Sequence, residues 1–215
     1  MKGDIFHILN RGVEKREIFL DNEDYLRFAY NLYDFNDKNL TTLSYYARHR
    51  RRQLSSAIVK PNKEKDKLVD ILCWCSMSNH FHILVQEKRD GGVGLFARKI
   101  TSGFTQYFNL KNNRSGVLFQ GKTKIIPVKR DEHFLYLPYY IFSNPIKLIE
   151  PYWKEKGIKN LKKTIKFLED YKWSSYSDII GKGNFSFIIK KKLFFEIFDT
   201  NEKQFKKDFI EWLWL

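Results

Sequence analysis

In the stretch MSNHFHILVQ, residues 77–86, two histidines flank one phenylalanine. Alternate side chains of an extended strand share a face, with residues i and i+2 about 6.6 Å apart along it. His80 and His82 therefore project together, while Phe81, Ile83 and Val85 point the other way, into a core. Two imidazoles so placed can converge on one cation, or can be ordinary polar strand residues; H-x-H by itself does not choose. Cys73 and Cys75, just upstream, offer thiolates for zinc. Structural zinc sites, however, draw thiolates from C-x(2–4)-C turns, and cysteine is also a common small buried residue.

A second group of chemical side chains lies in DEHFLYLPYYIFSNPIK, residues 131–147. Residues four apart on a helix share a face, so Tyr136, Tyr140 and Asn144 line up. Tyr140 and Asn144 pair a phenol with an amide oxygen, a hard ligand suited to Mg²⁺ or Mn²⁺. Tyrosines at helical spacing also serve as core, and Tyr139, about 100° around the helix, is assigned that part.

The elements that must hold these groups follow from periodicity. Residues 4–10 alternate around Ile5, His7 and Leu9 and predict a strand. Asp21 is a helix N-cap for a stripe running to about Phe35. Residues 68–76 and 80–87 predict a hairpin joined by Met77, Ser78 and Asn79. Phe96 to Leu110 predicts a second amphipathic helix, and Thr123–Lys129 a strand at a sheet edge, because Pro127 lacks an N–H. The order strand, helix, strand, strand, helix, strand implies an α+β, ferredoxin-like fold: an antiparallel sheet with two helices on one face. A third helix, from about Asp131 to Ser143, carries the tyrosine. Residues 1–150 are read as the principal domain and 151–215 as a helical extension whose Phe195, Phe198, Phe205, Phe209 and Trp212 pack back on it or meet a partner.

Charge narrows the partners. The 215 residues carry a formal +14, and residues 38–67 hold nine Lys or Arg against two acids. That stretch is read as a basic insertion, with a short helix near Tyr45–Leu54, acting as a DNA clamp or as a disordered loop. Residues 111–130 hold six Lys or Arg and no acid. Aromatics such as Tyr45, Tyr46 and Phe119 interleave with these charges, which favours nucleic acid, since bases stack on rings while phosphates meet cations. No apolar run approaches the roughly 18–20 residues of a membrane span, and the start lacks the features of a signal peptide. The expected location is the cytoplasm.

Several stretches, in order, carry a resemblance: FHILNRGVEKREIFLDNEDYLRF at 6–28, CWCSMSNHFHILVQE at 73–87, FTQYFNLKNNRSGVLFQGKTK at 104–124, YYIFSNPIK at 139–147 and WSSYSDIIG at 173–181. The chain resembles the single-tyrosine HUH transposases, in particular the branch of REP-associated tyrosine transposases. HFH corresponds to the HUH motif, and YIFSNP to the family's Tyr-Ile-His-x-Asn-Pro helix motif. Phe142 stands where the family usually has His, and Ser78 where it usually has Pro.

The resemblance implies that Tyr140 is the nucleophile, and that His80, His82 and Asn144 hold one Mg²⁺ or Mn²⁺. The implied reaction is cleavage and strand transfer of single-stranded DNA through a 5′-phosphotyrosine, next to a palindromic hairpin. Arg11, Gln120, Lys122, Lys124 and Arg130 would contact the DNA. The protein would act as a monomer or homodimer. What deprotonates Tyr140 stays open between a nearby lysine and a metal-bound water. Two other classes fit parts of the pattern: a non-catalytic nucleic-acid-binding module on the same kind of sheet, and a metal phosphoesterase that uses water.

Overall fold

The computed structural model describes residues 2–39, 65–129 and 132–214. The helix expected near Tyr45–Leu54, and Arg130, lie outside the described residues. Four strands form one antiparallel sheet: β1 (Ile5–Arg11), β2 (Val69–Met77), β3 (His80–Glu87) and β4 (Lys124–Val128), in the spatial order β2-β3-β1-β4. Helix α1 (Asn22–Asp34) falls between β1 and β2 in sequence, and α2 (Gly92–Lys111) between β3 and β4. Among the described residues an antiparallel four-stranded sheet with helices packed on it is present, as the sequence predicts. Met77 pairs with His80, so it ends β2 rather than entering the turn, and the hairpin closes through Ser78 and Asn79 alone. β4 is an edge strand, as Pro127 requires.

Alternation gives the sheet two faces, both largely covered. On the Phe81 face, Phe28 of α1 lies 4.8 Å from Phe81 and 5.3 Å from Phe104 of α2, between ring centroids. Asp21 caps α1 by accepting from the Asp24 N–H. Asp24, fully buried, accepts from Tyr107 Oη and Lys111 Nζ and so ties α1 to α2.

The histidine face is covered by α3 (Glu132–Ser143), which runs into a 3₁₀ turn at Asn144–Leu148. Five further helices follow: α4 (Trp153–Lys156), α5 (Leu161–Asp170), α6 (Tyr176–Ile179), α7 (Lys191–Phe198) and α8 (Glu202–Trp214). The tail packs back on the domain. Tyr139 sits among Phe205, Phe209 and Trp212 at 5.2–5.8 Å, and Phe134 stacks on Phe198 at 4.6 Å. Tyr139 thus fills the structural part predicted for it, and burial pushes its phenol up to about 12.

Between α5 and α7 the chain closes the free edge of β2. Ser76 donates its N–H to the Trp173 carbonyl, Ser175 donates to Trp74, and Lys190 donates to Ile71. An edge so paired cannot template another strand. Among the described residues no helix is long and apolar enough to cross a membrane.

Phe142 is fully buried, with Tyr176, Phe205 and Phe209 at 5.4–6.4 Å. Its environment is an aromatic pocket, which suits phenylalanine at this position. Phe142→Ala should cost about 3–5 kcal/mol of unfolding free energy. Phe142→His should also destabilise, by about 1–3 kcal/mol, through a buried polar group without a partner. Urea denaturation followed by tryptophan fluorescence measures both.

Candidate active site

The turn that precedes His80 is pinned from the loop after β1. Ile18 and Phe19 donate N–H groups to the Ser78 carbonyl, and Gly12 donates to that of Asn79. Gly12 is required by space, since a Cβ there would meet the Arg16 carbonyl oxygen at 2.3 Å. Glu14 and Lys15 follow with left-handed φ of 56° and 61°, which tightens the loop. Asn79 Nδ2 donates to the Lys15 carbonyl at 3.1 Å, so its Oδ1 is the atom 2.6 Å from His80 Nδ1. An amide oxygen only accepts. Nδ1 of His80 therefore carries the ring proton, and Nε2 keeps the lone pair.

His82, two residues on, is 3% exposed and lies beneath α3, so it is not on an open face. Its Nδ1 is 2.9 Å from Nε2 of His7, and the two ring centroids are 5.0 Å apart. The sequence reading placed His7 on a strand but gave it no part in the site. The signal was present: the two-residue period that sets Arg11 opposite His80 also sets His7 on the same face.

Helix α3 brings Tyr140 and Asn144, and a proline shapes its end. Pro145 has no N–H, so the Ile141 carbonyl lacks its helical donor. Asn144 Nδ2 stands in at 3.3 Å and also donates to the Tyr140 carbonyl at 2.8 Å. That back-donation leaves Oδ1 as the outward end of the amide, and the Asn144 side chain meets His80. The Tyr140 ring is 5.5 Å from that of His82 and 6.5 Å from that of His7, edge-on to both. Tyr140 is partly exposed, at 37%. Lys154 of α4 places its Nζ 4.9 Å from the Tyr140 ring centroid.

Burial dominates the electrostatics. It lowers His7 to about 4, and it lowers His80 to about 4 with help from the charges of Arg11 and Lys147. His82 is held well below its usual range by burial, then by His7 and His80. All three rings are neutral at pH 7 and keep a lone pair. Burial, then Lys147, also lowers Lys154. Lys147 and Lys154 were not singled out from sequence. Lys147 lies in the quoted NPIK run, whereas Lys154 reaches Tyr140 only because the chain turns back after Leu148.

The side chains gathered here offer nitrogen and oxygen donors. Asn79 occupies His80 Nδ1 and the helix occupies Asn144 Nδ2, which leaves His80 Nε2 and Asn144 Oδ1 with free lone pairs, while His82 Nδ1 shares one N–H···N bond with His7. Among the described residues no group of three His, Cys, Asp or Glu is placed to hold a metal ion. Cys73 and Cys75 are free and buried, and burial pushes both thiols up, which leaves them protonated.

The sequence-predicted cationic contacts separate. Arg11 lies opposite His80, and the backbone N–H of Gln120 donates to the Arg11 carbonyl at 2.8 Å. Lys124 pairs with Leu9 and so shares the histidine face. Lys122 instead lines an open groove of about 670 Å³ along α2, with Asn10, Arg98 and Gln106, away from Tyr140.

No family model and no curated protein matches the chain. The fold is similar to that of a solved REP-associated tyrosine transposase bound to a REP hairpin, with a TM-score of 0.50 and 16% identity over 85% of this chain and 82% of that one. At that identity the likeness is one of fold.

The lowered histidines make stability depend on pH. His7 and His80 take up a proton near 6.5 when unfolded and near 4 when folded, so between those values the unfolded chain binds more protons. Their contribution is complete above 6.5 and is lost as pH falls toward about 4. Melting temperature should drop through that window, and drop less in His7→Phe, as calorimetry at stepped pH can measure.

Proposed function

We propose that this chain cleaves and rejoins single-stranded DNA beside hairpins through a covalent 5′-phosphotyrosine on Tyr140, as a transposase. The observation that carries the reading is the meeting of an accessible phenol with His82 and, one helical turn away, of Asn144 with His80. Two further points support it. The similar structure is a transposase bound to a hairpin. The four-stranded antiparallel sheet also agrees with the ferredoxin-like reading, in which residues 1–150 would be the catalytic domain and 151–215 its helical extension.

His80, His82 and Asn144 would hold Mg²⁺ or Mn²⁺, which when bound supplies Lewis acidity to the scissile phosphate. Tyr140 Oη attacks phosphorus. The new Tyr–O–P bond forms as the P–O3′ bond breaks, the phenolic proton passes to solvent, and the departing oxygen is protonated to a free 3′-OH. One phosphoester replaces another, so no ATP is consumed and the 3′-OH can reverse the step. The phenol's ordinary pKa is about 10. Lys154, over the Tyr140 ring, stabilises the phenolate. Arg11, Lys124 and Lys147 meet the DNA phosphates around the site.

The test is a denaturing gel after incubation of a labelled hairpin bearing a single-stranded flank with Mn²⁺. Wild type and Tyr139→Phe should form a covalent protein–DNA adduct, and Tyr140→Phe none. Cleaved DNA without any adduct would instead identify a water-using phosphoesterase, and binding without cleavage a binding module. In single-turnover assays Lys154→Met should slow adduct formation roughly tenfold, about 1.4 kcal/mol of barrier, without changing Mn²⁺ affinity.

A further inference from the structure

Position 7 of β1 lies between Ile5 and Leu9 on the histidine face and pairs with Leu84 and Ile126 on the flanking strands. Those neighbours would suit an apolar residue. A histidine is there instead, 7% exposed, with Nε2 2.9 Å from His82 Nδ1. Two neutral imidazoles at that distance share one N–H···N bond, and either ring can be the donor. If His7 donates, His82 becomes the Nε2–H tautomer and has no lone pair left to offer. If His82 donates from Nδ1, its Nε2 keeps the lone pair.

We infer that His7 is a positioning residue that accepts the Nδ1–H of His82 and thereby holds His82 in the tautomer whose Nε2 is free. His80 shows the same arrangement by a different means. Its Nδ1 faces an oxygen, Asn79 Oδ1, that can only accept, because the Asn79 amide is oriented by the Lys15 carbonyl. Both strand histidines thus have Nδ1 anchored from the sheet side. His7 also lies nearly coplanar with His82, ring centroids 5.0 Å apart, and meets the Tyr140 ring edge-on at 6.5 Å, so one side chain braces both a donor ring and the phenol. Anchoring of this kind raises metal affinity by about 10–100-fold where it has been removed by mutation.

The choice of donor rests on the proposed metal site, so the test includes a readout that needs no metal. Long-range ¹H–¹⁵N spectra of the full chain at pH 7 report each histidine's tautomer. In wild type, His80 and His82 should both be Nδ1–H. In His7→Phe, which keeps a flat ring of similar size, His82 should shift toward Nε2–H while His80 stays unchanged. Mn²⁺ affinity, titrated by EPR, should fall about 10–100-fold in His7→Phe and recover in part in His7→Gln, whose amide oxygen accepts. An Nε2–H His82 in wild type overturns the inference, and that spectrum decides the matter even if His7→Phe does not fold. A folded His7→Phe with the wild-type tautomer and wild-type Mn²⁺ affinity overturns it equally. If wild type binds no Mn²⁺ that depends on His80 and His82, it is the metal reading that fails, and the tautomer spectra still judge His7.

Discussion

Helix α3 carries Tyr140 on the side that faces the sheet's histidines, with Asn144 just beyond its end, and carries Phe134, Tyr139 and Phe142 on the side that faces the C-terminal helices. A helix held between two packed surfaces has little freedom to slide or roll, because interiors at close-packed density tolerate few voids. The separation of Tyr140 from His82, and of Asn144 from His80, is set by that grip more than by any direct bond between them. The aromatic tail is therefore as much a part of the site as the histidines.

The second constraint is the cost of placing three imidazoles in a nearly dry layer. Burial disfavours their protonation, and each buried polar nitrogen needs a partner. The partners found are Asn79 for His80 and His7 for His82, with the Asn144 amide turned back on its own helix. The same bonds that satisfy buried polar atoms also aim the free lone pairs. Cations then surround a group of neutral donors: Arg11 from β1, Lys147 from the 3₁₀ turn and Lys154 from α4. Such a set of cations suits a polyanion.

Much of this was legible before any coordinates. The two-residue period of 80–87 and the apolar stripe of 22–34 are local signals, and Asp21 and Pro127 mark boundaries by chemistry that acts within one turn. Tyr140 and Asn144 were found by helical spacing and by resemblance. What escaped depends on contacts distant in sequence. His7 and His82 are 75 residues apart and meet only because β1 pairs with β3. Lys154 depends on a chain reversal with no strong turn signature. The aromatic residues of α8 read as amphipathic, but nothing in their spacing names α3 as the surface they cover. Met77 was misplaced by one position because a two-residue turn and a three-residue turn differ only in register.

The segment that closes the edge of β2 also leads the chain into α7 and α8. On the ribosome, residues 1–150 emerge long before that segment does. Until it arrives, β2 presents unpaired N–H and carbonyl groups, and the aromatic side of α3 has nothing to pack against. Helix α3 is then unbraced on that side. It follows that residues 173–214 complete the packing of α3 only after the sheet and α3 have been synthesised. The packing around Tyr140 is thus completed by residues that follow it in the chain by more than thirty positions.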